Sequence, residues 1–104
     1  MVTVNVDNPL PDTTPPSITI TSPVDGGTVP RRATVTIAAS VSDNTGVTKV
    51  EFSVNGSLKC TDSTTPYTCN WKVPSKSSVT YTLQAKAYDA AGNIGASSIR
   101  VTAK

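Results

Sequence analysis

Four polar residues in two short loops have the greatest capacity for chemistry in this chain: Asp43 and Asn44 in DNTG at 43–46, and Asp89 and Asn93 in DAAGN at 89–93. Carboxylate and amide oxygens of this kind are what calcium takes, at about six to eight contacts per ion. Asp7 and Asp12 would supply two more carboxylates if the segment carrying them reached the same tip. The competing use is local, because Asp and Asn side chains hydrogen-bond the backbone of their own turns. No dense Asp-x-Asp-x-Asp run is present, so the expectation is a polar tip without bound metal or other cofactor. Asp7, Asp12, Asp43 and Asp89 are the set that a calcium site would have to use.

Cys60 and Cys69, with eight residues between them, form the other reactive pair. The spacing is not Cys-x-x-Cys and the chain has no His, which leaves neither a redox motif nor half of a zinc site. A structural disulfide between adjacent antiparallel strands is the expectation for an exported protein, with two buried free thiols as its competitor. Catalytic chemistry finds no footing. Glu51 is the single Glu, and there is no Gly-x-Ser-x-Gly, no Ser-x-x-Lys and no Gly-rich phosphate loop. Glu51 shares strand parity with Lys49 and Ser53, opposite to Phe52, which marks it as an exposed charge on the solvent side. Asn55-Gly56-Ser57 fits an N-glycosylation pattern, yet Asn-Gly is also what a tight hairpin demands, and the turn is the simpler use.

The elements that must position these residues are strands. From Val79 onward, Tyr81, Leu83, Ala85 and Ala87 alternate with Thr80, Thr82, Gln84 and Lys86, the period of two of a half-buried strand. Ile99, Val101 and Ala103 interleave with Ser98, Arg100 and Thr102 in a closing antiparallel strand. Upstream, Ile18 and Ile20 share a face, as do Val35, Ile37, Ala39 and Val41, then Val50, Phe52 and Val54, then Tyr67, Cys69, Trp71 and Val73. Leu58 and Cys60 lie on the strand returning from the Asn55-Gly56 hairpin. That makes about seven antiparallel strands, enough for an all-β sandwich of two sheets in Greek-key order. In such an order the second-to-third and sixth-to-seventh loops project from one end, gathering Asp43, Asn44, Asp89 and Asn93 where the first strand starts.

Residues 1–16 stand apart. Val2 to Val6 alternates like a strand and resembles the closing Ile99 to Ala103, as the last strand of a preceding tandem domain would, and Leu10 to Pro16 (LPDTTPP) reads as a stiff linker. The expected division is a strand remnant and linker over 1–16 and a sandwich domain over 17–104. Counting along the 104 residues gives 17 Thr and 12 Ser against a charged fraction of 15%, the hydroxyl-rich surface of exported bacterial modules. The net charge of +2 comes from scattered residues, with only Arg31 and Arg32 adjacent, so nucleic acid is not an expected partner. No apolar run reaches the length of a membrane span. The N-terminus lacks a signal-peptide pattern, which places the expected targeting signal elsewhere on the parent chain.

Together, ITITSPVDGGTV, VTIAASVSDNTGVTKVEFSVNG, TTPYTCNWKV and YTLQAKAYDAAGNIGASSIRVTA resemble the bacterial immunoglobulin-like (Big-type) domain repeated in secreted proteases, glycoside hydrolases and surface adhesins. The resemblance runs from about Ser17 to Ala103, and the pairing of DNTGV with DAAGN is its most specific feature. Two departures stand out: the cysteines at 60 and 69 replace small or polar residues, and VPSKSSVTY replaces an Asn-Gly type of turn. The resemblance implies an immunoglobulin-like or fibronectin III-like sandwich. It also implies a non-catalytic accessory module, a spacer or adhesion domain of a secreted or cell-surface protein. The implied partners are neighbouring domains of the same chain and, beyond them, a polysaccharide or surface protein. The alternative is a carbohydrate-binding accessory module of a secreted hydrolase, which needs aromatic rings on a flat face or loop. Tyr88 alone among the aromatics has parity opposite to the core, so that alternative requires an exposed row of Trp71, Tyr67 and Tyr88.

Overall fold

The computed structural model describes residues 14–42 and 46–104. Within them the chain forms eight strands: β1 (Ser17–Ser22), β2 (Thr28–Val29), β3 (Thr34–Ser42), β4 (Val47–Val54), β5 (Ser57–Asp62), β6 (Tyr67–Lys72), β7 (Thr80–Asp89) and β8 (Ile94–Ala103). They build a three-stranded sheet, β1-β3-β6, facing a five-stranded sheet, β2-β8-β7-β4-β5. Consecutive strands pair with each other only in the β4–β5 and β7–β8 hairpins, so most connections cross between the sheets in the Greek-key manner. The expected all-β immunoglobulin-like sandwich is present, with one strand more than the alternation implies. That strand, β2, runs parallel to β8, with Thr28 opposite Thr102 and Val29 opposite Ala103. Two residues are too few for a period of two to register in the sequence.

The alternating positions face inward as their parity requires. Phe52, Leu83, Ala85 and Ala87 are fully buried, and Ile37, Val73 and Val101 are nearly so. At about 25 cal/mol per Å² of apolar area removed from water, this shared core is the main favourable term in folding. Trp71 of β6 meets Tyr81 of β7 edge to face, ring centroids 5.2 Å apart, joining the two sheets through their largest rings.

In β5 one residue breaks the alternation. Phe52 pairs with Cys60 and Ser53 with Leu58, so Lys59 is left unpaired in a bulge. Cys60 therefore faces the core while Leu58 is turned outward and stands 56% exposed.

The free edge of β8 is covered by the segment that links β1 to β2. The Arg100 amide donates to Asp25 Oδ1 (3.0 Å), the Gly26 amide donates to the Arg100 carbonyl (2.7 Å), and the Thr102 amide donates to the Gly27 carbonyl (3.0 Å). Gly26 adopts φ 79°, and a Cβ on Gly27 would come within 2.9 Å of the Val24 carbonyl oxygen, so both glycines are required by the backbone path. Covering this edge removes a row of unpaired groups that would otherwise recruit another strand.

The chain passes through the sandwich from end to end. Ser17 begins β1 opposite Ser42, at the end where Val47 pairs with Asp89; β8 finishes at the far end, where Thr34 pairs with Lys72 and Thr80 with Thr102. These are the entry and exit ends of the sandwich. At the entry end Pro16 is buried, and its carbonyl oxygen lies against Gly95.

Candidate functional site

The Asp89–Asn93 turn occupies the entry end and is built around one carboxylate. Asp89, only 4% exposed, accepts hydrogen bonds at Oδ1 from the amides of Ala91 (3.0 Å) and Asn93 (2.8 Å), and at Oδ2 from Asn93 Nδ2 (3.1 Å). The Asp89 amide donates to the Asn93 carbonyl (3.1 Å), which closes the loop. These three donors belong to its own turn, the local use to which Asp side chains in loops are commonly put. The neighbouring loop approaches the same tip, since the Ala90 amide donates to the Gly46 carbonyl at 3.2 Å. Asp43 and Asn44, like Asp7 and Asp12, lie outside the described residues. Among the described residues no group of three or more His, Cys, Asp or Glu converges on a point.

Cys60 and Cys69 are joined in a disulfide, with Cα atoms 5.7 Å apart. The strands they link are not the hydrogen-bonded neighbours expected from the short loop. Cys60 lies on β5, the edge of the five-stranded sheet, and Cys69 on β6, the edge of the three-stranded one. Residues 63–66 carry the chain from sheet to sheet instead of folding it back as a hairpin. Asp62 shapes that crossing by accepting from the amides of Thr64 and Thr68, both at 3.1 Å, which also holds its carboxyl below the usual range. The bridge thus closes one open side of the sandwich, where no backbone ladder ties the sheets together.

A third cluster lies on the outer face of the five-stranded sheet. The Tyr88 hydroxyl donates to Glu51 Oε1 at 2.6 Å, Lys49 Nζ stands 3.5 Å from Glu51 Oε2, and the same Nζ lies 4.7 Å from the centre of the Tyr88 ring. The bond from Tyr88 lowers the Glu51 pKa against the opposing effect of desolvation, with Lys49 and Lys86 adding to the lowering; the same bond raises the pKa of the Tyr88 phenol. Glu51 is on the solvent side, as its parity requires, but half-buried and held, not a free surface charge. Parity could not reveal the cluster, because β4 bulges between Val47 and Lys49 and only the resulting register sets Lys49 opposite Tyr88. A carboxylate held ionised on an open face suits cross-strand bonding better than proton transfer.

The aromatic residues do not form an exposed row. Trp71 is 4% exposed within the core, Tyr67 packs against that core, and Tyr88 alone faces outward. A shallow polar recess lined by Asp25, Thr82, Ser98 and Arg100 lies beside β8, and its one carboxylate, Asp25, already accepts from the Arg100 amide.

A model of the bacterial Ig domain family matches residues 16–85. A search of the curated proteins finds no match. Among solved structures, the fibronectin(III)-like modules of Clostridium thermocellum CbhA superpose with a TM-score of 0.76 and 32% identity, covering 85% of this chain and 96% of that one. A double mutant of Cellulomonas fimi endo-beta-1,4-mannanase matches with a TM-score of 0.55 and 32% identity over 84% of this chain. A modular endo-beta-1,4-mannanase from Cellulomonas fimi matches with the same TM-score and 26% identity over 86%. The chain spans 18% of the length of each mannanase chain, so the likeness there is to one part of a larger protein. The family match covers β1 to the middle of β7, and β8 completes the sandwich that it describes. On this match, the chain belongs to the bacterial Ig domain family.

Proposed function

We propose that this chain is a non-catalytic spacer module of a secreted or cell-surface bacterial multidomain protein. In this reading 17–104 is the sandwich domain, 1–16 is the strand remnant and linker, and the partners are neighbouring domains of the same chain, with adhesion contacts secondary. The observation that carries the reading is the in-line path: the chain enters beside the Asp89–Asn93 turn and leaves beside Thr80 at the opposite end. Strands of about ten residues at roughly 3.3 Å per residue make each copy a rod segment of about 30 Å. Pro16 packed against Gly95 supports a stiff entry in place of a free hinge. The likeness to fibronectin(III)-like modules, and to part of a modular mannanase, supports an accessory role.

Small-angle X-ray scattering of one copy and of two copies in series tests this. The longest dimension should grow by about 30 Å or more with the second copy. A two-copy particle that grows in width with little added length would reject the spacer reading.

A further inference from the structure

The exit end collects positive charge that the sequence disperses. Arg31, Arg32, Lys72, Lys76 and Lys104 make five of the nine basic residues, and all five are exposed. Backbone bonds hold their loops side by side. The Arg32 amide donates to the Val73 carbonyl (2.9 Å), the Val73 amide to Ala33 (2.9 Å), the Ser78 amide to Ala103 (2.8 Å) and the Lys104 amide to Val29 (3.0 Å). Arg31 Nη1 donates to the Ser75 carbonyl at 3.2 Å, joining the 30–33 turn to the 73–79 loop. No acidic residue occurs in 29–34, 72–80 or 102–104.

Partnership is equally one-sided. Each described side-chain carboxylate is already engaged: Asp25 by the Arg100 amide, Glu51 by Tyr88, Asp62 by Thr64 and Thr68, and Asp89 by its own turn. None of the five exit-end cations forms a salt bridge among the described residues. Arg32 is moreover held at φ 66°, a left-handed conformation that glycine or asparagine adopts with less strain.

We propose that the exit end binds an anionic polysaccharide, with Arg31, Arg32 and Lys76 taking its uronate carboxylates and Lys72 and Lys104 extending the track. Forked guanidinium donors match carboxylates in two-bond geometry, and Ser75, Ser77 and Thr34 place exposed hydroxyl groups beside them for sugar hydroxyls. Nucleic acid fits less well, because the exit end displays no aromatic ring on which a base could stack; Trp71 and Tyr81 are buried. The proposal goes beyond the spacer reading and stands or falls without it.

Titration with polygalacturonate, with neutral galactomannan as the comparison, tests this on the intact chain. The protein should bind polygalacturonate and not galactomannan, with affinity falling at least about tenfold between about 50 mM and 0.5 M NaCl as screening shortens the reach of the charges. Arg31→Glu with Lys76→Glu should weaken binding at least about tenfold, while Lys59→Glu with Lys86→Glu, the same change in net charge away from this end, should leave it within about twofold. Arg32→Gly should weaken binding while keeping or raising the Tm, since it removes charge and backbone strain together. Equal losses in the two double variants would overturn the site in favour of net charge alone. Absence of binding to polygalacturonate, or equally tight binding of single-stranded DNA, would overturn the assignment to an anionic glycan.

Discussion

The carbonyl oxygen of Pro16 occupies the space into which a Cβ on Gly95 would project. The incoming chain and the start of β8 are thereby locked at closer approach than any other residue type allows. Gly95→Ala must push the two apart, and over-packing of this kind costs about 1–3 kcal/mol. Urea unfolding should show a lowered midpoint with an unchanged slope. A stability loss below about 0.5 kcal/mol would mean that Pro16 moves freely and that the entry is not stiff.

The Cys60–Cys69 bridge ties the free edges of two sheets. Closing a loop of about ten residues should contribute about 2–3 kcal/mol in the chain-entropy model. Replacing both cysteines by serine should lower stability by that amount, and hydrogen exchange should quicken first in β5 and at 62–67 rather than in β7. Mass spectrometry of the unreduced native protein after alkylation should show no labelled thiol.

Asp89 organises its turn through three accepted hydrogen bonds. Asp89→Ala removes the acceptor of the Ala91 and Asn93 amides, which are only partly covered, at about 0.5–1.5 kcal/mol for each hydrogen bond lost. Millimolar calcium should leave the Tm where a chelator does, because a ligand that binds only the native state must raise stability. A calcium-dependent rise, abolished in Asp89→Ala or Asp43→Ala, would turn this tip into a metal site.

The bond from Tyr88 holds the Glu51 pKa below its ordinary value, so its contribution is present above the unfolded carboxylate pKa and is lost as pH falls through the folded one. The Tyr88 phenol is raised, so its contribution is present below the ordinary tyrosine pKa and is lost as pH rises through the folded value. Tyr88→Phe should therefore destabilise most near neutral pH, by roughly 0.5–1 kcal/mol given the open face, and least at both extremes. Absence of a penalty at any pH would show that the ring's packing matters and its hydroxyl does not.

Val2 to Val6 lies outside the described residues, and its likeness to Ile99–Ala103 supports a remnant of a neighbouring domain over a part of this core. Deleting residues 1–11 should leave the Tm of dilute protein within a few degrees of the full chain. Each kcal/mol of lost stability would move it by about 4–8 °C, so a larger fall would assign the segment to this sandwich.

By itself the sequence determined which side of each long strand faces inward. Tyr81, Leu83, Ala85 and Ala87 are all buried where their alternation places them, because a period of two is a property of a single strand and needs no partner to be read. The turn role of Asp89 and Asn93 was legible for the same reason, since those bonds span only four residues. What depends on a partner far along the chain was not legible. The Lys59 bulge turned Leu58 outward, β2 found β8 across 74 positions of chain, and Cys60 met Cys69 between sheets instead of within one. Lys49, Glu51 and Tyr88 met through a register that only the bulged pairing of β4 with β7 sets. The five cations of the exit end come from three separate stretches of sequence, and their proximity exists only once strand order has brought those stretches to one end.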